Sequence, residues 1–291
     1  MKYVLTLIGK ELAADALVRA ASVLQGAGTP DWLAPAEAVD LPFEAPAPAE
    51  ARRRVGAALD GAAVDIAVLA AEGRRRRLLI ADMDSTVITV ECIDEMADML
   101  GLKPRIAAIT ARAMAGDLDF AAALRERVAM LKGLPVADLE RVYDERVRLT
   151  PGARELVQTM RAHGAHTALV SGGFDFFTRR VAEAAGFDEE TANRLNLDGA
   201  RLDGTVREPV IDSATKLATL RRLTAALELP PEATLAVGDG ANDLEMIRAA
   251  GLGVAFHGKP AVAAAAPVAI RHGDLTSLLY LQGYRRDEFR R

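Results

Sequence analysis

Two aspartates, Asp82 and Asp84, follow a short apolar run, and a second acidic pair, Asp239 and Asp243, follows another. Alternate residues of a strand share a face, so Asp82 and Asp84 can point to the same side. Carboxylates this close repel each other unless a cation lies nearby. Mg²⁺ fits because it accepts a few carboxylates and keeps water and phosphate oxygens in its octahedral shell. The pattern predicts a magnesium site, although the first pair alone could be a simple turn.

These residue types suit phosphoryl transfer, which needs a nucleophile, neutralisation of the phosphate oxygens and a proton for the leaving oxygen. Asp82 can attack phosphorus and form an acyl phosphate, which divides hydrolysis into two steps. Asp84 can protonate the leaving oxygen and then deprotonate the attacking water. Ser171 and the N–H of Gly172 can donate to phosphate oxygens, and Lys216 can supply a positive charge. The sequence therefore predicts a phosphomonoesterase.

The elements that must position these residues are short, continuously apolar runs. Three of them, residues 78–81, 167–170 and 234–237, end at the segments just described, and residues 252–256 and 268–270 follow. Such runs suit strands buried on both faces, and the segments between them have helical spacing, which indicates an α/β fold with a parallel sheet and helices on both faces. Ligands of such sheets bind outside the carboxyl ends of the strands, where all three segments lie.

A long insertion follows the first of these strands. About sixty residues separate it from the next core helix, far more than an α/β connection needs. Helix-like spacing occurs in four segments, which are residues 93–100, 104–115, 120–132 and 136–148. We expect residues 93–149 to form a four-helix cap that closes over a substrate. The catalytic core would then comprise residues 76–92 and 150–291.

Residues 1–75 form a separate prediction. Two helix-like and two strand-like segments, with a further irregular strand signal around residues 38–41, indicate a small α/β unit of the ferredoxin-like or ACT-like βαββαβ type. No residue type in it suggests catalysis. It could bind a regulator or mediate the contacts of a homodimer.

Four of these features, in this order, resemble the motifs of the haloacid dehalogenase (HAD) superfamily. That set is an Asp-x-Asp-x-Thr segment, a strand-end Ser or Thr, a distant Lys and a Gly-Asp-x-x-x-Asp segment. Here they correspond to residues 82–86, Ser171, Lys216 and residues 238–243. The resemblance implies the Rossmann-like sheet of that superfamily and a hydrolase that uses Asp82 as its nucleophile.

Within the superfamily, the chain from about residue 78 to its last helices resembles the phosphoserine phosphatase family. The likeness rests on residues 82–91, 114–120, 124–128 and 238–243. It implies Mg²⁺-dependent hydrolysis of O-phosphoserine through a phospho-aspartyl intermediate, the last step of serine biosynthesis.

The same resemblance implies roles for individual residues. Mg²⁺ would be held by the Asp82 carboxylate, the main-chain carbonyl of Asp84 and Asp239. The residues expected around the substrate are Glu91, Arg127, Ser171, Gly172, Lys216 and Asn242, with Met114, Phe120 and Asp243 as secondary candidates. O-phosphoserine carries an ammonium, which Glu91 can bind, and a carboxylate, which the guanidinium of Arg127 can bind through two hydrogen bonds.

Composition argues against several other classes. The formal net charge is −5, and the basic runs at 52–54 and 74–77 lack interleaved aromatic residues, so we expect no nucleic-acid partner. No apolar stretch approaches the length of a membrane span, and residues 1–9 lack the features of a signal peptide. The single cysteine, Cys92, agrees with a reducing compartment. We therefore expect a cytoplasmic protein without a membrane partner.

Three alternatives stay open from the sequence. A 2-haloacid dehalogenase attacks carbon with the first aspartate and needs no general acid two residues later, so Asp84 argues against it. A phosphatase or phosphotransferase for another small phosphomonoester would use the same residues. An amino-acid-sensing protein that has lost activity is the third, which the complete motif set argues against.

Overall fold

The computed structural model describes residues 2–45, 47–114 and 117–291, without the side chain of Met114. In the N-terminal part, the elements are β1 (Lys2–Ile8), α1 (Ala14–Ser22), β2 (Asp31–Ala34), β3 (Ala38–Glu44), α2 (Pro48–Ala58) and β4 (Asp65–Ala70). From residue 78 onward, they are β5 (Leu78–Ala81), α3 (Cys92–Met99), α4 (Lys103–Met114), α5 (Phe120–Met130), α6 (Val136–Arg146), α7 (Ala153–Ala162), β6 (His166–Phe174), α8 (Asp175–Ala185), β7 (Glu189–Asn193), β8 (Leu195–Asp198), β9 (Arg201–Val206), α9 (Ser213–Ala226), β10 (Thr234–Gly238), α10 (Leu244–Ala249), β11 (Leu252–Phe256), α11 (Pro260–Ala265), β12 (Val268–Ile270) and α12 (Ser277–Leu281).

The N-terminal unit is an antiparallel sheet with the strand order β2-β3-β1-β4, which is the βαββαβ arrangement of ferredoxin-like folds. Alternation along β1 shows how both faces are used. Leu5 and Leu7 pack in a cluster with α1 and α2, whereas Ile8 belongs to the hydrophobic core that includes the catalytic sheet. The strand β2 had no signal in the sequence, since the segment around it is rich in proline.

Buried polar contacts join this unit to the rest of the chain. The guanidinium of Arg74 pairs with Asp40 and donates to the carbonyl oxygens of Tyr280 at 3.0 Å and Leu281 at 3.1 Å. Thr6 Oγ1 donates to Asp40 Oδ1 at 2.7 Å. The N-terminal sheet is therefore tied to the C-terminal helix α12 by hydrogen bonds as well as by apolar packing.

The catalytic sheet has six parallel strands in the order β12-β11-β10-β5-β6-β7. All five strands expected from the apolar runs are present. The central strand β5 is wholly buried, and its side chains alternate: Ile80 packs with residues of α9 and α10, while Leu79 packs on the opposite face. The predicted parallel sheet with helices on both faces is confirmed. The edge strand β7 was not predicted, because its sequence is mostly polar.

Four helices, α3 to α6, lie between β5 and α7, as the helical spacing predicts. The chain enters and leaves this insertion through two adjacent segments. Ile88 and Leu149 form an isolated antiparallel bridge, and Thr89 N donates to the carbonyl oxygen of Arg148 at 3.0 Å. The two connections therefore run side by side at the base of the insertion. That the insertion works as a cap with the bounds 93–149 stays a prediction.

The helix α9 carries Lys216 in its first turn. It has 14 residues and begins with a capping box, in which Asp212 accepts from the N–H of Thr215 at 2.9 Å. This cap holds the turn that carries Lys216. Within the three described ranges of the chain, no helix is long and apolar enough to cross a membrane.

Candidate active site

A buried ion cluster forms the centre of the site, at the carboxyl edge of the catalytic sheet. Asp82 directly follows β5, and Asp243 lies in a single 3₁₀ turn after β10. Lys216 Nζ lies 2.6 Å from Asp82 Oδ1 and 2.6 Å from Asp243 Oδ1, and all three side chains are buried. Burial alone would lower the pKa of Lys216, but the charges of Asp243 and Asp82 outweigh it and raise the pKa. Lys216 therefore carries a positive charge here.

Asp243 serves to hold Lys216 in this place. One carboxylate oxygen binds Lys216, and the other accepts from the N–H of Gly240 at 3.0 Å. A Cβ at Gly238 would overlap the Asp243 side chain, so only glycine allows this close approach. The sequence ranked Asp243 as a secondary candidate, and the structure makes it a direct partner of the lysine.

Asp82 is an acid in an unfavourable environment. Burial and the charge of Asp243 raise the pKa of Asp82 well above its usual value, and Lys216 opposes this effect. The nearby charge of Asp84 adds to the increase. A carboxylate held ionised against such forces is poorly solvated, which favours its attack on a phosphate group whose negative charge is neutralised by nearby cations.

Asp84 reaches the site because the chain turns after β5. Residues 83–87 form a tight turn, in which Ser85 has a φ of 54° in the left-handed region. Asp84 Oδ1 accepts from the N–H of Cys92 at 2.8 Å, and Oδ2 accepts from the hydroxyl of Ser171 at 3.1 Å. Burial raises the pKa of Asp84, although these hydrogen bonds oppose the change. A carboxyl group with a raised pKa is suited to act as a general acid.

The acidic residues also provide ligands for a metal ion. Asp82, Asp239 and Asp243 each place a carboxylate oxygen within 4.8 Å of the others. Burial and the charge of Asp243 raise the pKa of Asp239 to about 6. With Asp84 nearby, four carboxylates face Lys216, with Lys259 acting on Asp239 as well, and a hard divalent cation would relieve the remaining repulsion. The donor set therefore fits a divalent metal.

The phosphate-binding candidates Ser171 and Gly172 lie near the end of β6, in the bulged loop of residues 171–173, where the regular pairing with β7 is interrupted. Ser171 Oγ accepts from the N–H of Gly173 at 2.8 Å, in addition to its bond with Asp84. A Cβ at Gly172 would lie 2.9 Å from Phe120 Cζ, so the aromatic ring at the start of α5 covers this loop. The helical insertion thus contacts the phosphate-binding candidates directly.

The residues expected to bind the amino acid part of a substrate face the same acidic region. Glu91 accepts from the hydroxyl of Ser85 at 2.7 Å. It is an exposed residue, yet loss of water around its carboxylate and the charge of Asp84 raise the pKa of Glu91 to about 7. Burial lowers the pKa of Arg127, and the charges of Asp94, Glu91 and Asp84 oppose this shift.

Other predicted residues are less well defined by contacts. Asn242 is half-buried in the 3₁₀ turn beside Asp243. Met114 ends α4, but its side chain lies outside the described residues.

Two residues near the site were missed from the sequence: Asp94, one turn after Glu91 on α3, and Asn193, which has no motif of its own. The spacing of Asp94 could have indicated the first, whereas only the fold reveals the second.

Comparison with known proteins agrees with this site. The pattern of the haloacid dehalogenase-like hydrolases matches residues 79–248. The phosphoserine phosphatase of Albidiferax ferrireducens is 46% identical over 210 residues, which cover 70% of this chain and 89% of that protein. The phosphoserine phosphatase of Streptomyces coelicolor is also 46% identical, over 227 residues that cover 77% of this chain. The chain spans only 55% of the length of that second relative.

Solved structures extend the likeness to the N-terminal unit. A HAD family hydrolase from Salmonella enterica has a TM-score of 0.86 at 31% identity and covers 96% of this chain and 98% of its own. A probable phosphoserine phosphatase from Vibrio cholerae has a TM-score of 0.79 at 31% identity, over 99% of this chain and 88% of its own. The chain belongs to the haloacid dehalogenase-like hydrolase family, in its phosphoserine phosphatase branch.

Proposed function

We propose that this protein hydrolyses O-phospho-L-serine to L-serine and phosphate, with Mg²⁺ as its cofactor. The observation that carries this proposal is the cluster in which Lys216 holds Asp82 while Ser171 holds Asp84. It supplies a nucleophile, a proton donor and a positive charge within one site. The curated relatives with 46% identity carry the name phosphoserine phosphatase.

Asp82 acts as the nucleophile. Lys216 binds Oδ1 of this carboxylate, so we assign the attack on phosphorus to Oδ2. The new bond between Asp82 and phosphorus replaces the bond to the serine oxygen, which leaves as an alcohol. Water then attacks the acyl phosphate, releases inorganic phosphate and restores the Asp82 carboxylate.

Asp84 transfers the protons in both steps. In the first step its protonated carboxyl group donates to the leaving serine oxygen, and in the second it accepts a proton from the attacking water. Its raised pKa favours the protonated form needed at the start. Before a substrate binds, the N–H of Cys92 and the hydroxyl of Ser171 hold its two oxygens in place, and the Cys92 N–H can stay there when Ser171 turns to the phosphate.

The metal ion would be held by the carboxylates of Asp82 and Asp239 and by the main-chain carbonyl of Asp84. Bound there, Mg²⁺ neutralises negative charge on the phosphate oxygens. Both oxygens of Asp243 already have partners in Lys216 and the N–H of Gly240, so we assign it to positioning the lysine. Ser171, the N–H of Gly172 and Asn242 would bind the phosphate and its surroundings.

Selectivity comes from the charged groups at the helical insertion. Glu91 would bind the substrate ammonium and Arg127 its carboxylate, while Phe120, and Met114 as a secondary candidate, would line the pocket. A phosphomonoester that lacks one of these groups leaves a partly buried charge without a partner, which disfavours its binding. The proposed pocket therefore prefers a phosphorylated amino acid.

A substrate panel tests this proposal: O-phosphoserine, phosphoethanolamine and a generic aryl phosphate, each with and without Mg²⁺. Arg127→Ala should raise KM for O-phosphoserine by about 10- to 100-fold, because a charged hydrogen bond is lost. The constants for phosphoethanolamine, which has no carboxylate, should stay unchanged. Phosphate release measured under initial-rate conditions gives both sets of values.

A neighbouring arginine provides the matched control. Arg125 lies on the same helix but pairs with Glu208 at 2.8 Å on the exposed side. Arg125→Ala should leave KM for O-phosphoserine unchanged. The substrate assignment fails if the wild-type protein hydrolyses phosphoethanolamine as well as it hydrolyses O-phosphoserine.

Three further expectations stay predictions. The N-terminal unit would serve in regulation or in contacts of a homodimer, and residues 93–149 would act as a cap. The cytoplasmic location expected from the composition and the apolar pattern of the sequence also remains a prediction. None of the three changes the reaction proposed for the active site.

A further inference from the structure

Asn193 is a buried residue that the proposed reaction does not use. It ends the edge strand β7 and is 1% exposed. Its place follows from an irregularity in the sheet, since Val170 pairs with Thr191 but Phe174 pairs with Asn193. Between these two pairs, β6 therefore advances by four residues while β7 advances by two. The additional residues form a bulged loop within β6, residues 171–173, and Asn193 lies beside it.

The Asn193 side chain binds two separate segments. Its Nδ2 donates to the carbonyl oxygen of Gly172 at 2.8 Å and to that of Ile211 at 3.3 Å. Its Oδ1 accepts from the N–H of Ile211 at 2.7 Å. These partners determine the orientation of the amide, because only its NH₂ group can face two carbonyl oxygens and only its oxygen can face an N–H.

Both segments lead to groups that carry the proposed chemistry. Gly172 is next to Ser171 on the loop of β6. Ile211 immediately precedes Asp212, which caps the helix whose first turn carries Lys216. One side chain therefore spans the gap between the hydroxyl and N–H donors of the loop and the lysine at the start of α9.

We propose that Asn193 is a positioning residue that sets the distance between the phosphate-binding loop 171–173 and the helix of Lys216. The inference rests on the proposed function, in which both elements act on one phosphate group. Without Asn193, the carbonyl oxygen of Gly172 loses its donor, and the loop can rotate about its glycines. The donors at Ser171 and Gly172 then no longer converge with Lys216 on the same oxygen atoms.

The decisive experiment compares Asn193→Ala and Asn193→Asp, with inorganic phosphate as the probe. The alanine variant should weaken inhibition by phosphate about tenfold or more at every pH, since all of the amide hydrogen bonds are lost. In the aspartate variant, an ionised carboxylate would repel both carbonyl oxygens at pH 8. Once protonated, the same group can donate to Gly172 and still accept from Ile211.

The aspartate variant should therefore bind phosphate weakly at pH 8 and recover towards the wild-type value near pH 6, while the alanine variant does not recover. The inhibition constant of each variant is divided by the wild-type constant at the same pH, which removes the titration of phosphate and of shared groups. A role in fold stability alone would not produce this difference. Thermal unfolding of each variant is measured in the same buffers.

The matched control is Asn196→Ala. This asparagine lies three residues later and binds Thr205 Oγ1 at 2.8 Å within the exposed β8–β9 hairpin. It should leave the inhibition constant unchanged.

Each outcome decides the proposal. Wild-type phosphate affinity in either folded variant at pH 8 would overturn it, and so would loss of folding in both, because Asn193 would then serve only stability. An aryl phosphate serves as the reporter substrate, so the test does not depend on O-phosphoserine. If the wild-type protein hydrolyses the aryl phosphate but not O-phosphoserine, the substrate assignment fails while the positioning role is still measured.

Discussion

Two buried ion clusters in this protein contain similar residues but differ in their balance of positive and negative charge. In the first, at the domain junction, Arg74 pairs with Asp40, and the guanidinium also binds main-chain carbonyl oxygens. In the second, at the carboxyl edge of the catalytic sheet, Lys216 pairs with two aspartates in a region of further acids. The junction cluster is balanced in charge, whereas the catalytic cluster has an excess of negative charge.

The excess of negative charge distinguishes the proposed catalytic cluster from the junction cluster. At the junction, one acid meets one base, and Thr6 supplies a further donor. At the catalytic edge, burial raises the pKa values of Asp82, Asp84 and Asp239, and the charge of Asp243 adds to the increase for Asp82 and Asp239. A site arranged in this way opposes folding until a cation and a substrate bind. The comparison therefore predicts that substitutions will separate activity from stability.

The largest expected effect is on activity, in the catalytic cluster. Asp82→Asn should lower turnover of O-phosphoserine by about 10⁴-fold or more, since the amide cannot attack phosphorus. It should not lower the melting temperature of the metal-free protein, because the change removes a carboxylate whose ionisation is disfavoured in the fold. Phosphate release and thermal unfolding measure the two effects. Near-normal turnover would remove Asp82 as the nucleophile.

The converse effect is expected at the junction. Arg74→Ala leaves Asp40 buried without its cation, which should lower the free energy of unfolding by about 3–5 kcal/mol. The turnover per folded molecule should stay unchanged, since the hydrogen-bond partners of Arg74 are Asp40, Thr6 and two carbonyl oxygens of α12, none of which belongs to the proposed active site. Chemical denaturation and active-site titration check the two statements.

An exposed pair in the same unit is the control for this change. Arg53 pairs with Glu50 on α2, and its side chain is 78% exposed. Arg53→Ala should change the free energy of unfolding by at most about 1 kcal/mol. A similar loss in Arg74→Ala and Arg53→Ala would show that the junction cluster contributes no special stability.

A smaller effect links metal binding to pH. The folded-state pKa is raised to about 7 for Glu91 and to about 6 for Asp239, above the ordinary values of 4.5 and 3.8. An acid whose pKa is higher in the folded state than in the unfolded state stabilises the fold at low pH. This stabilisation is lost as the pH rises from the unfolded-state pKa to the folded-state pKa. Metal-free protein should therefore lose stability relative to Mg²⁺-loaded protein between about pH 4 and pH 7.

The measurement is the change in melting temperature on adding Mg²⁺, which should be larger at pH 8 than at pH 5. Asp239→Asn removes a proposed ligand and should reduce the shift at pH 8. A shift of equal size at both pH values, or one that persists in full in Asp239→Asn, would contradict a metal site built from these carboxylates.

Much of the catalytic core was predictable from the sequence. Continuous apolar runs such as residues 78–81 and 234–237 suit strands buried on both faces, so five of the six strands were apparent, although their order in the sheet was not. The polar residues at their ends then converge, because parallel strands place their carboxyl ends at one edge. The edge strand β7 was missed, since half-exposed edge residues lack the apolar pattern of central strands.

The sequence by itself determined the acid pair Asp82 and Asp84 and the position along the chain of the strands that carry the site, since these depend on residue type and on local periodicity. It indicated Lys216 chiefly through the family resemblance. Only the tertiary structure decided that Asp243 holds Lys216, that Phe120 covers Gly172 and that Asn193 joins two segments distant in the chain. Such contacts depend on where separate elements meet in space. Local spacing along a chain carries no information about that meeting, so the tertiary packing alone assigns these roles.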